Sequence, residues 1–205
     1  MIFERMIEFK SDFFPRLKFK TQLDEITDSY YLNFLKNYSN GGFFFGQALL
    51  LYPHIERNEY PNIMIVNKAL KVEYKELFND LIAFGQDLFG CQFCFNTKNN
   101  NIVLFNAEDG RTSYLASNFD EWITIILEDF DYYTGFTYYQ EWCKENGLKT
   151  NQRIVGKKPF IIGGEYELSN FVVSEYPRFI EYYGVLANYL HDLPDGTPVT
   201  IRYSE

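Results

Sequence analysis

Basic residues, cysteines, histidines and long apolar runs are all scarce in this sequence, and each shortage removes a class of function. Lysine and arginine number 19 against 28 aspartates and glutamates in 205 residues, a net charge of −9. A phosphate backbone is repelled overall, so direct binding to nucleic acid is not expected. A basic protein is attracted instead, mainly through its rate of encounter, while the plainest use of the charge is solubility. Three cysteines, an odd number, do not make the disulfide framework of a secreted domain, and a reducing compartment is expected. Two histidines, His54 in a loop and His191 near a helix end, form no cluster that would hold a metal. No apolar run approaches the roughly 20 residues that cross a bilayer. The N-terminal MIFERMIEFKSDFFPRLKFK alternates charged and aromatic residues and does not read as a signal peptide. A soluble, cytoplasmic protein without a membrane partner is expected, and there is neither an internal repeat nor a low-complexity tract.

What the chain has in quantity is aromatic area. Hydrophobic residues make up 46% and aromatics 20%, with 17 tyrosines and 21 phenylalanines, far too many for a disordered segment. Some of these rings must be partly exposed, and a surface tyrosine suits protein contacts because it joins a large apolar face to a hydroxyl. The length allows one well-filled domain, or one domain and a sizeable extension.

Residues 26–53 organise the rest. Tyr31, Phe34, Leu35 and Tyr38 follow i, i+3, i+4, i+7 spacing and give a short helix one apolar face. Thr27 or Asp28 can cap its first turn. Ser39, Asn40, Gly41 and Gly42 suit an exit through left-handed backbone, after which Phe43–Phe44–Phe45 and LLLYP read as strands. Residues 54–61 read as a loop. A helix is expected over 62–78, fraying towards Lys75. Alternation in the run from Cys91 to Phe95 puts Cys91, Phe93 and Phe95 on one sheet face with Gln92 and Cys94 on the other. Residues 97–101 turn into a partner strand over 102–105, residues 106–111 make the next turn, and Tyr114 and Leu115 belong to a third strand. Ser117 or Asn118 opens a helix whose Phe119, Trp122, Ile123 and Ile126 pack on the sheet.

The ends of the chain are less regular. Residues 1–20 read as a mixed segment interrupted at Pro15, with a short strand at 17–19. Residues 129–158 look like a change of unit, helical up to Gly147 and followed by LKTNQRIVGKK as a basic, polar connection. The tail has a helix over about 175–191 with Ser174 as its cap and Pro177 in its first turn, then a final strand in which Val199, Ile201 and Tyr203 alternate with polar residues.

Reactive chemistry is thin. Cys91 and Cys94 spell C-x-x-C, but there is no second pair and on a strand the two side chains point apart. Cys143 sits on an aromatic helix with no identifiable base. Gly41-Gly42 and Gly163-Gly164 match no phosphate-binding pattern. No metal or cofactor is expected. Acidic residues cluster as Glu108 and Asp109 in a turn, and as Glu128, Asp129 and Asp131 beside Tyr132 and Tyr133. Paired carboxylates can exchange protons, but a solvated acidic edge is the simpler use, and these seven residues are the candidate contacts for a basic partner.

A helix ending in FLKNYSNGG, followed by an aromatic strand and LLLYP, and then FGQDLFGCQFCFN, NIVLFNAEDG and SNFDEWITIILED, resembles the SUKH superfamily, which includes fungal cell-wall assembly regulators and many bacterial immunity proteins. The resemblance covers roughly residues 20–130, and PFIIGGEY with LPDGTPVTIRY is similar to an extension on some bacterial members. It implies an α+β fold, a twisted and mainly antiparallel sheet flanked by helices, with residues 1–130 as a SUKH-like domain and 131–205 as a C-terminal α/β extension packed on it. It also implies non-catalytic protein binding. For bacterial members that means immunity, the neutralisation of a cognate toxin, often a nuclease. For relatives of the fungal kind it means an intracellular scaffold. The oligomeric state stays open.

Overall fold

The computed structural model describes residues 2–11, 26–54, 61–194 and 196–199. Its first element, helix α1 (Ile2–Glu8), buries only Phe3 and Met6, too short a pattern to stand out from a segment that reads as mixed. The strand expected at 17–19 lies outside the described residues.

Helix α2 (Ser29–Asn37) begins where a side chain can satisfy its free N–H groups. Of the two candidate caps it is Asp28 that serves, Oδ1 accepting from Tyr31 N at 2.9 Å. The other carboxylate oxygen accepts from Phe119 N at 2.9 Å, the first residue of a later helix. One anion therefore holds the positive ends of two helices together. The chain leaves α2 through Gly41 and Gly42, at φ +79° and +117°. A Cβ at Gly41 would sit 2.6 Å from the Leu51 carbonyl oxygen, so this turn requires glycine twice over, for its backbone and for its space.

From here a six-stranded antiparallel sheet runs in sequence order: β1 (Gly42–Phe44), β2 (Leu49–Leu51), β3 (Leu81–Gln86), β4 (Gln92–Asn96), β5 (Asn101–Phe105) and β6 (Thr112–Ala116). Between β2 and β3 the chain crosses as helix α3 (Ile63–Tyr74), capped by Asn62 and passing into a 3₁₀ turn at Lys75–Phe78, where the expected helix frays. Helices α4 (Phe119–Glu128), α5 (Phe130–Thr134) and α6 (Phe136–Cys143) follow β6. A two-stranded antiparallel sheet of β7 (Gln152–Gly156) and β8 (Phe171–Glu175) and helix α7 (Arg178–Leu190) complete the described elements.

Both faces of the large sheet are covered. On one, Phe84, Phe93 and Phe95 meet the rings of Tyr31, Phe119 and Trp122, with Trp122 fully buried at 5.0 Å from Phe84 and 5.2 Å from Phe93. On the other, the Asn67 amide of α3 brackets the backbone of Ala83, donating to its carbonyl at 2.7 Å and accepting its N–H at 2.8 Å. Tyr74 and Phe78 pack on Phe105. Helix α7 lies against α3, its Gly184 so close to Glu73 that a Cβ would come within 2.7 Å.

Two expectations are corrected. The stretch 148–158 is not a connection: it contains β7, buried at all five positions, and a strand covered on both faces shows no alternation to read. Helix α7 starts at Arg178, because residues 171–175 are β8; Ser174 is a strand residue rather than a cap. The final strand expected over 199–203 falls mostly outside the described residues.

Candidate partner-binding surface

The acidic residues singled out from the sequence divide into two groups. Glu108 and Asp109 are buried, at 5% and 6% exposure. Glu108 accepts from Phe160 N at 3.1 Å through one oxygen and from Ile161 N at 2.6 Å through the other; burial raises its pKa and the two N–H donors pull against that. Asp109 accepts from Arg111 N at 2.9 Å, and its carbonyl lies 2.9 Å from His191 Nδ1. This pair fastens the tail of the chain to the sheet and leaves little of either side chain at the surface. An acidic turn looks solvated when the groups it binds are backbone amides more than fifty residues away.

The second group is at the surface. Glu128, Asp129 and Asp131 are exposed, Tyr132 is 77% exposed and Tyr133 half-buried. Short helices position them: Asp129 caps α5 by accepting from Tyr132 N at 3.2 Å, and Asp131 accepts from Thr137 N at 2.6 Å at the start of α6. The rings of Tyr132 and Tyr133 meet edge to face at 5.0 Å. Beside them stands a residue that sequence reasoning missed. Phe9, 41% exposed, stacks on Phe45 at 4.7 Å and lies 5.9 Å from Phe130, bringing the exposed Glu8 to the same corner. A signal for the corner was present in the charge pattern: residues 112–143, a run of 32, hold six carboxylates and no lysine or arginine.

Behind this corner, the turn 87–91 joins the sheet to everything that follows. Leu88 N donates to Thr134 O at 3.2 Å, Ile154 N donates to Leu88 O at 3.1 Å, and Phe179 and Tyr183 of α7 line Gly90. Arg153, 1% exposed, reaches in from β7. Its Nη1 donates to Gln152 O at 2.6 Å, and its Nε and Nη2 donate to the Gln86 side-chain oxygen at 2.8 and 3.0 Å. The Gln86 amide donates to the Tyr52 hydroxyl, which donates to Gln92 Oε1 at 2.6 Å, and Gln92 Nε2 donates to Gly90 O at 2.7 Å. The guanidinium also lies 5.4 Å from the centre of the Phe43 ring. Asp87 Oδ1 accepts from Phe89 N and Cys91 N. Burial pushes the Asp87 carboxyl up to about 7 and Arg153 down to about 10, and each charge moderates the shift of the other. These are internal fastenings, and the chemistry at the surface is that of the acidic corner. Among the described residues no group of three or more His, Cys, Asp or Glu is placed to hold a metal ion, and no helix is long and apolar enough to cross a membrane.

A model of the SMI1-KNR4 cell-wall family matches residues 19–123, the part of the chain that builds α2, the six-stranded sheet and the first half of α4. The chain belongs to the SMI1-KNR4 family, within the SUKH superfamily. That membership is consistent with a protein-interaction role. The match ends before the acidic corner and before β7, so both lie outside what the family model describes. The crystal structure of Atu4351 from Agrobacterium tumefaciens superimposes with a TM-score of 0.52 over 85% of this chain and 84% of that chain at 13% identity. That likeness shows the same α+β fold. No curated protein matches the chain.

Proposed function

We propose that this SUKH protein is an immunity protein of the cytoplasm, which binds a basic toxin domain through the corner formed by α4, α5 and α6 and so blocks the toxin. The observation that carries the reading is the run of six carboxylates without a single basic residue over 112–143, with exposed Tyr132 among them. A nuclease domain is basic where it holds phosphates, and an acidic surface competes for that same place. The field draws the partner in; rings that lose water on docking hold it. Glu128, Asp129 and Asp131 supply the first, Tyr132, Tyr133 and Phe9 the second. In this reading residues 1–130 are the SUKH-like domain and 131–205 an extension packed on it, and no cofactor takes part.

The test is co-expression with the product of any adjacent gene that encodes a toxin-like domain. Cells that survive only when both are made, together with a complex that persists through gel filtration, support immunity. Cells that die equally with and without this protein, and no complex, overturn it.

A further inference from the structure

The two edges of the large sheet are finished differently. At β1, residues 9–11 lie alongside the strand: Ser11 N donates to Phe43 O at 2.9 Å, Phe45 N donates to Phe9 O at 3.0 Å, and Lys10 bridges to Phe44. At the other edge, β6 has β5 on one side and, among the described residues, no strand on the other. Thr112, Ser113 and Tyr114 are exposed, Tyr114 at 63%. They pair with Phe105, Leu104 and Val103 in unbroken register, and the irregularity of this ladder, at Leu115, comes after them. Such an edge offers N–H and C=O groups to another strand, and proteins commonly blunt it with lysine or proline. Neither stands here: from Thr112 to Phe119 there is no charged residue and no proline.

The strand also complements itself. Antiparallel pairing about a two-fold axis through Ser113 sets Thr112 of each copy opposite Tyr114 of the other, a β-branched residue against an aromatic one, with no like charges facing. The same register brings Arg111 diagonal to Ser117 of the second copy, where the Glu121 carboxylate accepts from Ser117 N at 2.8 Å and from its hydroxyl. The Arg111 side chain is 47% exposed, although Nε stands 3.9 Å from the mostly buried Asp109 and Nη2 donates to Leu193 O at 3.5 Å. On the Glu121 side, Asp120 adds a second negative charge. Lys98, in the turn before β5, is held by Asp80 at 2.6 Å.

We propose that β6 is the contact between two copies of this chain, which join edge to edge into one continuous antiparallel sheet. The two-fold axis stands perpendicular to the sheet, so α2 and α4 of both copies cover one face and α3 the other. The acidic corner, built against Phe9 and Phe45 beside β1, stays open. The inference does not depend on the toxin-binding reading, and its test contains no toxin.

The test is sedimentation velocity of the full chain over a range of concentrations at physiological ionic strength, where screening over about 8 Å limits the repulsion between two acidic chains. The expected result is a reversible monomer–dimer equilibrium. Thr112→Lys with Tyr114→Lys puts like charges opposite each other and should weaken association about tenfold or more, as should Thr112→Glu with Tyr114→Glu. All these positions are exposed, and an equal mixture of the two variants should recover a dimer, because each lysine then faces a glutamate. Variants that associate as the parent does, or a mixture that stays monomeric, overturn the pairing. So does a parent that is monomeric at every concentration, whether its outward β6 amides exchange freely or are already protected within one chain.

Discussion

Between the sheet and helices α2 and α4, Phe84, Phe93, Phe95, Phe119 and Trp122 touch ring to ring; between the sheet and the segment 148–162, Arg153, Gln86, Tyr52, Gln92, Asp87 and Glu108 are joined by hydrogen bonds and charge. The first layer is held by burial and dispersion, which are not directional, so it tolerates exchanges that conserve volume. In the second, each group needs one particular partner, so it fixes where that segment sits while adding less per contact, and it fails badly when one member is removed. Through Glu108 that second layer also fixes where residues 160–161 sit relative to the sheet.

The largest difference is expected between Arg153→Met and Phe93→Leu. Loss of the guanidinium leaves the Gln86 oxygen and the Asp87 carboxylate without it, and a destabilisation of about 3–5 kcal/mol is expected in chemical denaturation; the core exchange should cost about 1.5 kcal/mol. Equal costs would show that the junction is ordinary packing. Gly41→Val should come next, at about 2 kcal/mol or more, since it strains a left-handed backbone and drives Cβ into the Leu51 carbonyl. An unchanged unfolding midpoint would mean that the turn is not constrained as described.

A further effect is one of pH. The Asp87 carboxyl is held at about 7 by burial, so between about pH 4 and 7 the folded chain keeps a proton that the unfolded chain has released. Stability from this group therefore falls as pH rises through that window. His54, held down at about 4 by burial, acts the other way: the unfolded chain takes up its proton first, and stability falls as pH drops from about 6.5 to 4. Asp87→Asn keeps an oxygen to accept from Phe89 N and Cys91 N and removes only the titration. The difference in unfolding free energy between variant and parent should grow with pH from 4 to 7. A difference that stays constant across the window would place the Asp87 pKa at its ordinary value.

The aromatic layer was legible in the sequence and the junction was not, for a physical reason. Phe93, Phe95, Phe119, Trp122, Ile123 and Ile126 advertise their faces by spacing, and Gly41 and Gly42 mark a turn that few other residues can make. Arg153 and Glu108 look like surface residues because their type is normally solvated; only partners far along the chain make them interior. Strand β7 lost its signature by being covered on both faces, and α1 was too short to have one. The exposed half of the acidic edge, from Glu128 to Tyr133, was readable because nothing distant covers it. Phe9 was not, since its neighbours Phe45 and Phe130 are brought to it only by the fold.

The corner of α4, α5 and α6 is proposed to receive a basic protein. The measurement that decides this is the stopped-flow association of this chain with the product of any adjacent gene that encodes a toxin-like domain, over a series of salt concentrations, for the parent and for Glu128→Gln, Asp129→Asn, Asp131→Asn. The last two substitutions keep the oxygens that cap α5 and bind Thr137 N, so charge alone is removed. The predicted result is an association rate that falls steeply with salt for the parent, a slower rate with a flatter salt dependence for the variant, and dissociation nearly the same in both. Association rates and salt slopes that coincide for the two proteins would contradict it.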